Sequence, residues 1–124
     1  MSPALQQLME RNVLEVFGER DSARRKSVIN ELYVEDCTFS DFESGARSVG
    51  RDALDARVEE LLEGAPGFVF RLDGSAQVLQ DLGRARWRFG PDGGAAVVAG
   101  MDVAIFKDGR IGSLYTFLEP VPSN

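Results

Sequence analysis

Leu5, Leu8, Met9, Val13, Val16 and Phe17 recur at the three- and four-residue spacing of a single helix face. Ser2 and Pro3 supply an N-cap and a first helical residue, and Gly18 supplies a stop. Asp21 is placed to cap a second helix whose apolar stripe is Val28, Ile29 and Leu32, with Arg24, Arg25 and Lys26 as its expected solvated face. After Tyr33, expected to pack at the end of that helix, the period drops to two. Cys37, Phe39 and Asp41 alternate with Thr38 and Ser40, as in a short strand. Residues 43–50 hold Ser and two Gly and read as a loop. A third helix is predicted over roughly 51–63, with Leu54, Val58, Leu61 and Leu62 on one side and Gly64, Pro66 and Gly67 ending it.

From there the pattern is all strand. Phe68, Phe70 and Leu72 alternate with Val69, Arg71 and Asp73, and a second run covers 77–80, joined to the first by a possible bulge at Gly74. A third covers 84–89 and is closed by Gly90-Pro-Asp-Gly-Gly94. A fourth covers 96–106, and Asp108-Gly109 is a hairpin signal before the last strand, 111–118, which Pro120 and Pro122 stop. Helices grouped ahead of an antiparallel meander predict an α+β fold in one domain over 1–124. A strongly curved sheet capped by three helices would form a cone-shaped barrel with an internal pocket.

Composition narrows the chemistry. The chain has 124 residues and a net charge of −6, so nucleic acid is not an expected partner. No apolar run reaches membrane-span length, and residues 1–7 lack a basic and apolar leader pattern, so a cytoplasmic protein without a membrane partner is expected. There is no histidine and one cysteine, Cys37, expected to be a small buried hydrophobe. Neither imidazole-based catalysis nor a Cys-pair metal site is available, and no metal or cofactor is expected. Acid–base work falls to carboxylates, Tyr, Lys or water.

Asp102 is the least expected residue. It interrupts an otherwise apolar strand, with Val98, Ala104 and Phe106 on its own face and Val97, Met101, Val103 and Ile105 opposite. A buried acid there either stays neutral and donates a hydrogen bond or pairs with an arginine of the next strand, such as Arg86. Asp41 ends the early strand beside aromatic residues. It reads as a general base or as a solvated turn residue. Arg84, Arg86 and Arg88 share one strand face and suit a solvated surface or a dimer contact better than an anion site. Phe39, Phe70, Trp87, Tyr115 and Phe117 are candidate pocket walls, Phe117 doubling as a core residue. Asn12 faces either the pocket or solvent.

Four segments carry a resemblance. They are Glu31-Leu-Tyr-Val-Glu-Asp-Cys-Thr-Phe-Ser-Asp41, Gly50-Arg-Asp-Ala-Leu54, Arg86-Trp-Arg-Phe-Gly90 and Gly100-Met-Asp-Val-Ala-Ile-Phe-Lys-Asp-Gly-Arg-Ile111. In this order they resemble the SnoaL-like proteins of the nuclear-transport-factor-two-like superfamily. The resemblance implies a cofactor-free isomerase or cyclase acting on a small apolar carbonyl compound, or a non-catalytic binding module. It places Asp102 where ketosteroid isomerase-like enzymes keep a protonated oxyanion donor and SnoaL-like cyclases keep an acid–base aspartate, and Asp41 where the isomerases keep a proton-shuttling base. It also implies a homodimer through the sheet face, a role that the two-sided apolar strand suits. The isomerases' first-helix tyrosine is missing here. Asn12 or Val13 lies nearest, and Tyr115 is a candidate replacement. Thr116 stands where limonene epoxide hydrolase-like enzymes carry an aspartate, which argues against that reaction.

Overall fold

The computed structural model describes residues 3–41 and 45–121. The expected N-cap at Ser2, and Phe42 beside Asp41, lie outside them. Helix α1 runs Pro3–Arg11 and continues without a break into wider π-helical turns over Asn12–Phe17, where the Gly18 N–H reaches back five residues to the Val13 carbonyl at 3.0 Å. The sequence gives a reason. The inward pairs Leu8-Met9, Asn12-Val13 and Val16-Phe17 repeat every four residues. A 3.6-residue helix would rotate them away from the core by about 40° per repeat, and a wider turn offsets that drift.

Helix α2, Ser22–Leu32, is capped as expected, with Asp21 Oδ1 accepting from the Ala23 and Arg24 amides. One residue of its expected solvated face is not solvated. Arg25 is fully buried, donating to Asp55 at 2.6 Å, Glu59 at 2.5 Å and the Glu19 carbonyl at 2.8 Å. The two acids belong to α3, Arg51–Glu63, so an ion-pair cluster ties the two helices together. A guanidinium can be buried where its N–H groups and charge are met in this way.

Strand β1 covers Tyr33–Asp41, and the stretch expected as loop contains a short strand, β2, Arg47–Val49, paired antiparallel to it. Strands β3 (Phe68–Leu72) and β4 (Gln77–Leu79) both pair with β5 (Leu82–Pro91). Their registers differ by two residues, so one hairpin arm bulges around Gly74. Strands β6 (Val98–Lys107) and β7 (Arg110–Glu119) complete the meander through a turn in which Asp108 and Gly109 both have positive φ.

The sheet order is β2-β1-β7-β6-β5-β3, with β1 parallel to β7 and the other pairings antiparallel. The sheet is curved and open at its edges, and with the three helices it makes the expected α+β fold. Its concave face and the helices enclose the core, which includes Met9, Val13, Ile29, Tyr33, Leu54 and Leu114. Among the described residues no helix is long and apolar enough to cross a membrane.

Candidate functional site

A one-residue irregularity decides which side chains of β7 face inward. Phe106 pairs with Ile111, but Ile105 pairs with Ser113, leaving Gly112 as an extra residue. A bulge of this kind switches the face of every residue beyond it. Ile111 therefore points inward, and past the bulge Leu114, Thr116 and Leu118 do so. Tyr115 and Phe117, expected as pocket walls, lie on the outer face opposite Val103 and Met101. Phe117 is 51% exposed and packs in no core. Thr116 takes the inward place instead.

The inward residues line a cavity of about 380 Å³. Phe39, Phe70, Trp87, Asp41 and Asp102 are on its wall, with Phe89, which shares the Trp87 strand face expected toward the helices or the pocket, and with Val13, Phe17, Leu61, Phe68, Thr116 and Leu118, which were not candidates for the pocket. The aromatic rings brace one another. Phe70 stacks on Phe89 at 4.2 Å between centroids and meets Trp87 edge-on at 5.2 Å, while Phe17 meets Phe39 edge-on at 5.3 Å. Such a wall excludes water and offers flat apolar contact.

Asp102 is a buried acid of the cavity wall, 3% exposed. Its neighbour on β5 is Ala85, and Arg86 instead pairs with Glu119 at 3.2 Å, so the alternative of an Asp102–Arg86 pair is not realised. Oδ1 accepts from Thr116 Oγ1 at 2.8 Å and Trp87 Nε1 at 3.0 Å, while Oδ2 is 3.4 Å from the Asn12 amide nitrogen. Burial pushes the carboxyl up from 3.8 to about 6, against the opposing pull of the Thr116 and Trp87 hydrogen bonds. A carboxyl tuned to that range can both take and give a proton near neutrality.

Asn12 faces neither the cavity nor solvent. It is fully buried behind Asp102, and its Oδ1 accepts from the Tyr33 hydroxyl at 2.5 Å. Tyr33, the first residue of β1, is itself fully buried, which raises its hydroxyl well above the usual range. Cys37 is buried and free, and burial pushes its thiol up as well.

Asp41 shares a row with Asp102. The register pairs Asp41 with Thr116 across β1 and β7, and Thr116 with Asp102 across β7 and β6. Two strand spacings separate the two acids, roughly 10 Å between their backbones. Both oxygens of Asp41 are engaged by Arg57 of α3, at 3.0 and 3.1 Å. Sequence reasoning passed over Arg57. It stands three residues after Leu54 and four before Leu61, so the stripe itself placed it beside the inward face. Among the described residues no cluster of three or more His, Cys, Asp or Glu side chains is arranged to hold a metal ion.

Three helices on a curved, open, mostly antiparallel sheet make the nuclear-transport-factor-two-like fold. The model of the SnoaL-like domain matches residues 11–113, and the chain belongs to that family. No curated protein matches it. Among solved structures, a provisionally named isomerase of the SnoaL-like family from Agrobacterium tumefaciens superposes with a TM-score of 0.85 at 24% identity, over 94% of this chain and 98% of that one. A provisionally named SnoaL-like polyketide cyclase from Jannaschia gives 0.71 at 19% identity, over 96% of this chain and 90% of that one. A provisionally named ketosteroid isomerase from Kribbella flavida gives 0.70 at 12% identity, over 98% and 82%. At these identities the likeness is one of fold.

Proposed function

We propose that this protein is a cofactor-free isomerase- or cyclase-type enzyme that moves a proton on a small apolar carbonyl compound, with Asp102 as the group that moves it. The observation that carries this reading is the Asp102 carboxyl itself: buried on an aromatic cavity wall, tuned to about 6, and held by two donors on one oxygen. Thr116 and Trp87 on Oδ1 and Asn12 on Oδ2 hold the carboxyl in one orientation, and that carboxyl does the exchange. As a base it takes a proton from a carbon next to the carbonyl. As the acid it returns that proton to another carbon or to the enolate oxygen. The Phe39, Phe70 and Trp87 walls keep water from competing. Asp41 is the second candidate for proton transfer, and its bidentate pair with Arg57 favours instead a role in shaping a charged end of the cavity.

The SnoaL-like isomerase and cyclase names among the similar structures support the same class of reaction. We further propose a cytoplasmic homodimer joined through the outer sheet face. Met101, Val103, Tyr115 and Phe117 give that face an apolar centre, flanked by Arg84 and Arg86.

Carbon-acid exchange tests the enzyme reading without knowledge of the natural substrate. In D2O the protein is expected to accelerate deuteration of 2-tetralone, a compact apolar ketone, beside its carbonyl. Asp102→Asn is expected to lower that rate by about 100-fold or more. A wild-type protein that leaves 2-tetralone and a panel of similar ketones at the buffer rate would refute it and leave ligand binding without chemistry.

A further inference from the structure

Every atom around the Asp102 carboxyl has a direction, and one of those directions is set two residues away. Asn12 can present either its N–H2 or its carbonyl oxygen to Asp102. The Tyr33 hydroxyl donates to Asn12 Oδ1, so the N–H2 is the end turned toward Asp102 Oδ2. An ionised Asp102 welcomes that donor. A protonated Asp102 carries its proton on Oδ2, because Oδ1 already accepts from Thr116 and Trp87. The Asn12 N–H2 offers this proton no lone pair. The two hydrogens would face each other, so the donor turned toward Oδ2 favours the ionised carboxyl.

We infer that Tyr33 and Asn12 form a positioning relay that holds an N–H donor against Asp102 Oδ2 and so favours the ionised, proton-accepting form of the carboxyl. The inference rests on the acid–base reading of Asp102. It adds two residues that touch no substrate. In the reverse arrangement, with the Asn12 amide turned over, its carbonyl would accept the Asp102 proton and its N–H2 would donate to the Tyr33 oxygen. That state would trap the proton. It would also take from the fully buried Tyr33 O–H the Asn12 carbonyl that accepts its proton, and that cost holds the network in the observed sense. The burial of all three residues, with Asn12 and Tyr33 at 0% and Asp102 at 3% exposure, keeps water from mediating the same bonds. Tyr33 is the titratable group facing Asp102 from β1. Asp41 from β1, and Arg57 and Glu60 from α3, are the charged groups nearest along the cavity and its rim.

Carbon-13 NMR of the labelled Asp102 side-chain carboxyl, followed against pH, reads the relay with no substrate present. Tyr33→Phe releases Asn12, so the Asp102 midpoint is expected to rise by at least about half a pH unit. Binding of 2-naphthol, an apolar enol, is expected to weaken about fivefold by calorimetry. A Tyr33→Phe midpoint within about 0.2 units of wild type overturns the inference. If that variant does not fold, 3-fluorotyrosine at both tyrosines strengthens the Tyr33 donor while keeping it, and the midpoint is expected to fall; a stationary midpoint overturns the inference equally. Wild-type protein that binds no 2-naphthol would count against the enzyme reading, while the carboxyl titration would still decide the relay.

Discussion

Thr116 faces Asp102 across the β6–β7 ladder and donates its hydroxyl to Oδ1 at 2.8 Å. This contact depends on the bulge at Gly112. If Gly112 instead paired with Ile105 in an unbulged ladder, Tyr115 would fall opposite Asp102, the Asp102 oxygen would lose the Thr116 donor, and the carboxyl would be harder still to ionise.

The raised carboxyl of Asp102 has a stability consequence with a definite sign. The folded state binds this proton more tightly than the unfolded chain does. Its contribution is fully present below about pH 4, falls as pH rises toward 6, and is lost above that, a change of about 3 kcal/mol. Asp102→Asn cannot ionise. It is expected to unfold at higher urea than wild type at about pH 8, and to show a smaller advantage, or none, at about pH 3.5. The same advantage at both pH values would mean that the carboxyl titrates alike in folded and unfolded chains.

Gly100 leaves room for the indole that holds Asp102. A Cβ at this position would sit 2.3 Å from Trp87 Cζ2 and 2.8 Å from the Phe117 carbonyl oxygen. Gly100→Ala is expected to cost about 1–3 kcal/mol in urea unfolding. It should also displace Trp87 and break its 3.0 Å bond to Asp102. Trp87 is the one tryptophan of the chain, so its emission spectrum reports the displacement directly. An unchanged spectrum would show that the strand moves and the indole does not.

Asp41 and Arg57 form a bidentate pair with side chains only 7% and 16% exposed. Removing one partner takes the bidentate contact from the other in a poorly solvated place. Arg57→Met is expected to destabilise the fold by about 3 kcal/mol. In a double-mutant cycle with Asp41→Asn, the coupling is expected to reach at least about 1 kcal/mol. Additive effects would show that the two side chains do not depend on each other.

The outer sheet face presents Phe117 at 51% and Ile105 at 40% exposure. If this face joins two copies, Phe117→Glu places two charges in the apolar contact. The expected outcome in sedimentation is a dimer for wild type and a monomer for the variant, with Trp87 emission unchanged because the cavity lies on the other face. A monomeric wild type at micromolar concentration would rule the dimer out.

Several features were readable in the chain because they depend on local physics. The Asp21 cap, the stop at Gly64, the Asp108-Gly109 turn and the alternation of β5 each follow from backbone preference or from a period of two. Asp102 stood out for a similar reason, since an acid inside an apolar run is conspicuous wherever the strand lies. Arg25 shows where such reasoning fails. A basic run on a helix reads as solvated unless the acids that bury it are known, and Asp55 and Glu59 stand 30 and 34 residues away. The placement of Tyr115 and Phe117 failed on parity. Gly112 was the one local hint, because a glycine inside a strand often marks a bulge.

The sequence by itself determined the three helices, the meander, and an anomalous acid at position 102, because hydrophobic period and turn chemistry act over a few residues. Only the tertiary structure decided what surrounds that acid. Thr116 reaches it through a shifted register, Trp87 through the space left by Gly100, and Asn12 through a hydroxyl at the start of another strand. Those contacts join residues up to 90 positions apart, and no local pattern specifies which distant donor meets which oxygen.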